Sequence, residues 1–188
     1  MRRWWHAFAL VSLVATGASG ATLTYVANMT GALENPVNPS TGTGTATLVI
    51  DTTANTASLS VTFSGLVSST AAAHIHCCVA APANVGVAIG SSGFPGAVTS
   101  GTFSTTYNLL DPSIYNGPFL TGNGGTAAGA MSALLAGLAG GQSYYNIHTS
   151  NSPGGEIRAF FAVPEPSLAA LLAAGALLAS WRGFTRRR

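Results

Sequence analysis

The sequence has no lysine, and only 6% of its 188 residues are charged. Six of the seven basic residues, all of them arginine, lie at the two ends: Arg2, Arg3, Arg182, Arg186, Arg187 and Arg188. Between residues 21 and 163 a single base, Arg158, stands against Glu34, Asp51, Asp111 and Glu156, so this region carries −3 while the whole chain carries +2. A nucleic-acid-binding domain needs a basic face on its folded part, and one arginine cannot supply it. Catalytic signatures are missing as well. There is no Gly-x-Ser-x-Gly, no P-loop and no Gly-x-Gly-x-x-Gly after a strand. A glycosidase pair would need two of four scattered acids to meet. Asp51, Asp111 and Glu34 fall in predicted turns, where carboxylates cap or bend backbone. The chain is expected not to be an enzyme.

Long hydrophobic runs are also absent, since a spanning helix needs ~20 apolar residues. The two shorter runs lie at the ends. Arg2 and Arg3, the apolar stretch Ala7–Val14 and the small residues Ala18-Ser19-Gly20 are the three parts of a secretory signal peptide over residues 1–20. At the other end, Pro164-Glu165-Pro166 precedes a 14-residue stretch, Leu168–Trp181, that is nearly all apolar, and the Arg186–Arg188 tail closes the chain. That order over residues 164–188 resembles the PEP-CTERM sorting signal. The resemblance implies a Gram-negative bacterium, processing by an exosortase-type membrane enzyme, a transient stay in the inner membrane through a C-terminal hydrophobic helix, and a surface or matrix destination. A plain C-terminal anchor is the alternative, and both put the middle of the chain outside the cytoplasm.

What the middle does have is Thr, Ser and Gly, which together fill 53 of residues 21–163. Threonine suits exposed strand faces and glycine suits turns. Apolar residues recur at period two, clearest in Thr56–Ser64, where Ala57, Leu59, Val61 and Phe63 alternate with Ser58, Ser60 and Thr62. The same pattern predicts strands at Thr22–Met29, Thr45–Ile50, Ala71–Cys78, Val85–Ile89, Gly101–Asn108, Ser143–His148 and Glu156–Val163. Thr126–Leu138 breaks it, with Met131, Leu134, Leu135 and Leu138 at helical spacing before Gly140-Gly141. Asp111–Gly125 reads as the longest loop. The expected fold is all-β: an Ig-like or Greek-key sandwich or barrel with one short helix across an end.

The remaining chemistry is histidine. On a strand, alternate side chains share a face. His74, His76 and Cys78 therefore point one way, with Ile75 and Cys77 opposite. Asn146 and His148 share a face opposite Ile147, and Glu156 and Arg158 share one on the last strand. With Ile75 and Ile147 in the core, the histidines form a polar stripe across neighbouring strands. The phrases AAHIH (72–76), Gly65-Leu66, LLAGL (134–138), YYNIHT (144–149) and PGGEIR (153–158), in that setting, resemble the CHRD domain, first described as repeats in chordin and found also in bacterial secreted proteins. The resemblance covers about residues 22–162 and implies a β-sandwich-like fold, an extracellular setting and no established enzymatic activity or cofactor. Cys77-Cys78-Val79 replaces the family's glycine-rich turn, and Ala159 stands where a glycine follows the arginine.

Two uses of the cluster are open. Strand neighbours on one face lie ~6.6–6.8 Å apart, so His74 and His76 can converge on one ion with His148 from a paired strand, a set that suits Cu or Zn. Cys78, ~13 Å from His74 on a straight strand, cannot join. Alternatively the imidazoles hydrogen-bond to Glu156, Asn146 and backbone and tie three strands together. Cys77 and Cys78 have their own alternatives: a vicinal disulfide, two shielded thiols, or a bond to another chain. Adjacent Cα atoms are ~3.8 Å apart across a trans peptide, below the usual ~4.4–6.8 Å disulfide span, so the ring would be strained; it is the favoured reading. The functional expectation is an exported surface or matrix module acting by binding or cohesion, with exopolysaccharide or self-association as partner. The alternative is a periplasmic or surface Cu or Zn protein.

Overall fold

The computed structural model describes residues 22–164, and there the period-two segments become strands. They are β1 (Thr22–Thr30), β2 (Thr43–Asp51), β3 (Thr56–Ser64), β4 (Thr70–Cys77), β5 (Val87–Gly90), β6 (Gly101–Asn108), β7 (Ser143–Thr149) and β8 (Ile157–Phe160). The signal peptide over 1–20, Glu165 and Pro166 of the sorting triplet, and the C-terminal hydrophobic helix lie outside the described residues; Pro164 is the last described residue. Among the described residues, no helix is long and apolar enough to cross a membrane.

The eight strands make one antiparallel sheet in the order β5-β4-β7-β8-β1-β2-β3-β6. The all-β expectation holds, and of its sandwich and barrel alternatives the single curled sheet is nearer the barrel. Alternation dictates that each strand has one buried face. It does not say whether those faces meet across two layers or inside one sheet that curls on itself. Here the sheet curls into a half-barrel. Its two edges approach closely enough for the Tyr107 hydroxyl on β6 to donate to the Gly90 carbonyl on β5 at 3.3 Å. Tyr25, Ala27 and Met29, then Ala46, Leu48 and Ile50, then Leu59, Val61 and Phe63 line the inside with Ile75, Ile147 and Ile157. On β2 and β3 their neighbours in sequence are mostly Thr and Ser and face out.

The predicted helix is present as α2 (Ala127–Ala139), after a six-residue α1 (Gly117–Gly122). The Thr126 side chain accepts the Gly129 amide at 3.2 Å and caps the start of α2. Ala130, Leu134 and Leu138 recur at four-residue spacing and are buried. Gly137 allows the close approach to the ends of β4 and β7: a methyl there would lie 2.7 Å from Cys78 Sγ and 2.9 Å from Ser143 Oγ. The stretch Asp111–Gly125 is not the plain loop expected. It holds a 3₁₀ turn at Pro112–Ile114 and then α1, each with proline in its first turn, where a fixed φ favours helix entry.

Two loops cross the outer face of β7 and β8 and prepare the site. Residues 31–42 lie on one side, with Asn38 donating to the Glu156 carbonyl at 3.0 Å. Residues 78–86 lie on the other, with Asn84 donating to the Asn35 carbonyl at 2.7 Å. Because that second loop is used this way, β5 begins at Val87 instead of the expected Val85.

Candidate functional site

His74 and His76 project from β4 and His148 from the adjacent β7, all on the outer face, as the alternation requires. The His74 and His148 ring centroids are 4.9 Å apart, and those of His76 and His148 are 5.8 Å apart. One ligand atom from each histidine falls within 4.8 Å of the others. An ion shared at bonds of ~2.0–2.1 Å would hold its ligand atoms within about 4.2 Å of one another.

The hydrogen bonds fix what each ring presents. His76 Nδ1 lies 2.8 Å from the Val85 carbonyl, and His148 Nδ1 lies 2.9 Å from the Pro153 carbonyl. A carbonyl only accepts, so both Nδ1 atoms carry the proton, and both Nε2 atoms offer a lone pair. Those two Nε2 atoms and His74 Nδ1 are buried without a hydrogen-bond partner. Buried imidazole nitrogens ordinarily find one. Two of the three, on His76 and His148, are aimed by outer carbonyls in the way that orients histidines toward a metal; His74 has no such partner among the hydrogen bonds of the described residues.

The same burial keeps the rings neutral. Desolvation, followed by the neighbouring His148 and His76, lowers His74 from 6.5 to about 4. Desolvation also lowers His76, opposed by its bond to Val85 and aided by His148 and Arg158. It lowers His148 against the bond to Pro153. Protons therefore compete little with a metal at neutral pH. The sign for stability follows: unfolded histidines take up protons near 6.5 that the folded ones refuse, so stability is lost as pH falls below that value. Glu34, raised by burial from 4.5 to about 7, works the other way, because the folded state holds its proton more tightly. Three imidazoles outweigh one carboxyl. Urea midpoints of the metal-free chain should fall between pH 7 and pH 5, and more steeply in Glu34→Gln; a flat or rising profile would contradict this.

The tie to Glu156 and Asn146 does not form. The Glu156 carboxylate is taken by Ser40 Oγ at 2.6 Å, the Val67 amide at 2.6 Å and Thr149 Oγ1 at 2.7 Å. Its burial pushes the pKa up, but the bonds from Ser40, Thr149, Val67 and Ser68 outweigh that and hold it below the usual value. Asn146 points its amide at the Gly154 carbonyl, 3.5 Å away. The backbone part of that expectation is what remains, through Val85 and Pro153.

Glu34 is not a turn residue of the expected kind. It is 4% exposed, with Oε2 3.7 Å from Arg158 Nε. Arg158 is fully buried. It donates from Nε to the Leu33 carbonyl at 2.7 Å, from Nη2 to the Pro82 carbonyl at 2.7 Å and from Nη1 to Asn84 Oδ1. Its guanidinium carbon sits 4.9 Å from the Tyr144 ring centre. Sequence alternation shows that Arg158 faces outward but not that two loops close over it. Asp51 and Asp111 do hold turns, through the Thr53 and Ala54 amides and the Ser113 amide.

Cys77 and Cys78 are joined as a vicinal disulfide. Cys78 does not share the histidine face: the chain leaves β4 after Cys77, and the Cys78 sulfur lies 3.4 Å from the Ala133 carbonyl of α2. The sequence carries no signal for the residues that orient the cluster, Val85 and Pro153, because each acts through its backbone carbonyl. Tyr144, two residues before Asn146 on the same outer face, was legible in principle. It stacks on His76 with centroids 4.7 Å apart and planes 2° apart.

The comparison with curated proteins and with solved structures gave no match. The model of the CHRD domain matches residues 25–161, a span that includes the three histidines, the vicinal cysteines and the buried Glu34 and Arg158. The chain belongs to the CHRD domain family.

Proposed function

We propose that this CHRD domain binds one transition-metal ion, Cu or Zn, through His74, His76 and His148. The observation that carries this is the convergence of three buried, unpartnered imidazole nitrogens. The donor set fits the group: neutral imidazole suits both metals, and three nitrogens leave a fourth position open to solvent or an added ligand. The domain would do this as an exported surface or matrix protein, in keeping with the sequence reading of its two ends. Calorimetric titration of the purified chain with Cu(II) and Zn(II) tests the proposal. One ion per chain supports it, and heats no larger than dilution overturn it.

A second reading, cohesion with a neutral polymer such as exopolysaccharide, has its own observation. The outward positions of β2, β3 and β6 include Thr43, Thr45, Thr47, Ser58, Ser60, Thr62, Thr102, Ser104 and Thr106, with Asp51 as the one charged residue on those strands. An average soluble domain is roughly 25% charged. Cosedimentation with an uncharged exopolysaccharide, above that of a control protein of equal size, is the expected result. Equal partition counts against the reading.

A further inference from the structure

The loop that covers Arg158 is the loop that orients His76. Arg158 grips residues 82–84 from below through the Pro82 carbonyl and Asn84 Oδ1. The next residue, Val85, donates its amide to the Tyr144 hydroxyl at 3.2 Å, and the same hydroxyl lies 3.2 Å from the Val85 carbonyl. That carbonyl is the acceptor for His76 Nδ1 at 2.8 Å. Tyr144 meanwhile stacks on His76 and lies beside the Arg158 guanidinium. One buried cation thus reaches His76 by two routes, the 82–85 backbone and the Tyr144 ring, without touching it.

We infer that Arg158 is the positioning residue of the histidine cluster, acting through Asn84 and Tyr144. It fixes the Pro82–Val85 segment so that the Val85 carbonyl selects the Nδ1–H form of His76 and aims Nε2 at the ion. The inference rests on the metal reading above. Glu34, 3.7 Å from Arg158 Nε, and the Leu33 carbonyl hold the other side of the guanidinium, so the cation is fixed between the two loops. A planar group with five donors can serve Leu33, Pro82 and Asn84 at once; a lysine ammonium in the same place cannot.

The test uses Asn84→Ala combined with Tyr144→Phe in the full chain. This pair removes the Asn84 and Tyr144 parts of the tether, leaves the Arg158–Pro82 bond, and keeps Arg158, Glu34 and the aromatic stack, with circular dichroism as the fold control. Two readouts are taken. In the metal-free protein, ¹⁵N NMR of the His76 ring should change from a single Nδ1–H tautomer to a mixture, while the His148 ring stays as it was. With metal, affinity for Cu(II) or Zn(II) should fall 10- to 100-fold, the range seen when an outer partner of a ligating histidine is lost, and the Cu(II) EPR spectrum should shift. Arg158→Lys, where it folds, should show the same tautomer change. An unchanged His76 tautomer and unchanged affinity in a variant beside a metal-binding parent overturn the positioning role alone. A parent that binds no metal overturns the metal reading, and this inference with it.

Discussion

Replacing His76 by alanine should abolish measurable metal binding, or weaken it by at least ~100-fold, beyond the 10–100-fold range for losing an outer partner. His76 is the most enclosed of the three histidines, at 7% exposure, and its free Nε2 is directed by the bond to Val85. His148→Ala should do the same, because its Nε2 is held by the bond to Pro153. The folded state should survive both changes. Alanine at 76 loses a stacking contact with Tyr144 worth ~0.5–1.5 kcal/mol, and it also removes a buried imidazole that resists protonation. Calorimetry at pH 7 with circular dichroism as the fold control separates the outcomes. If the parent binds one ion and both variants bind it equally well, the cluster is not the site. If the variants melt earlier and the parent binds nothing, the histidines serve only to hold β4 and β7 to the loops above them.

Arg158→Met should be the most destabilising single change on the outer face, lowering stability by about 3–5 kcal/mol above pH 7, where Glu34 is ionised and the two form a buried ion pair. The loss has two parts. Glu34 keeps its burial but loses the cation that opposes the rise of its pKa. The Leu33 and Pro82 carbonyls and Asn84 Oδ1 lose their donor together, so the two loops lose the group that joins them. Glu34→Gln should be much milder at pH 6, since burial already holds Glu34 protonated below about 7 and glutamine keeps its shape. Urea denaturation with an unchanged slope measures both. A loss for Arg158→Met within ~1 kcal/mol of that for Glu34→Gln would show that the guanidinium does not organise the two loops.

Strand positions were legible because period-two alternation is a local property of each segment: Thr56–Ser64 reads the same in sequence and in β3. Helix α2 was legible for the same reason at a different period. Closure was not. Whether β5 and β6 end two sheets or flank the open seam of one depends on the summed twist and on contacts such as Tyr107 to Gly90, which no single segment encodes. The helical turn at Gly117–Gly122 escaped because it is too short for a periodic signal, and the glycines and prolines around it read as a loop.

The sequence by itself determined which side chains share a face. His74 and His76 on one strand and Asn146 and His148 on another point away from Ile75 and Ile147, because a strand repeats every two residues. It also determined that the described domain carries a single base, Arg158, against the four acids Glu34, Asp51, Asp111 and Glu156. Only the tertiary structure decided what those faces meet. It paired β4 with β7 so that His74, His76 and His148 converge, and it turned Cys78 away toward α2. It folded the 31–42 and 78–86 loops over Arg158, which brought Glu34 to it across 124 residues of chain and took Glu156 away to Ser40, Val67 and Thr149. Spacing along the chain fixes direction; partners come from elements distant in sequence, chosen by which burials leave the fewest polar groups without a bond.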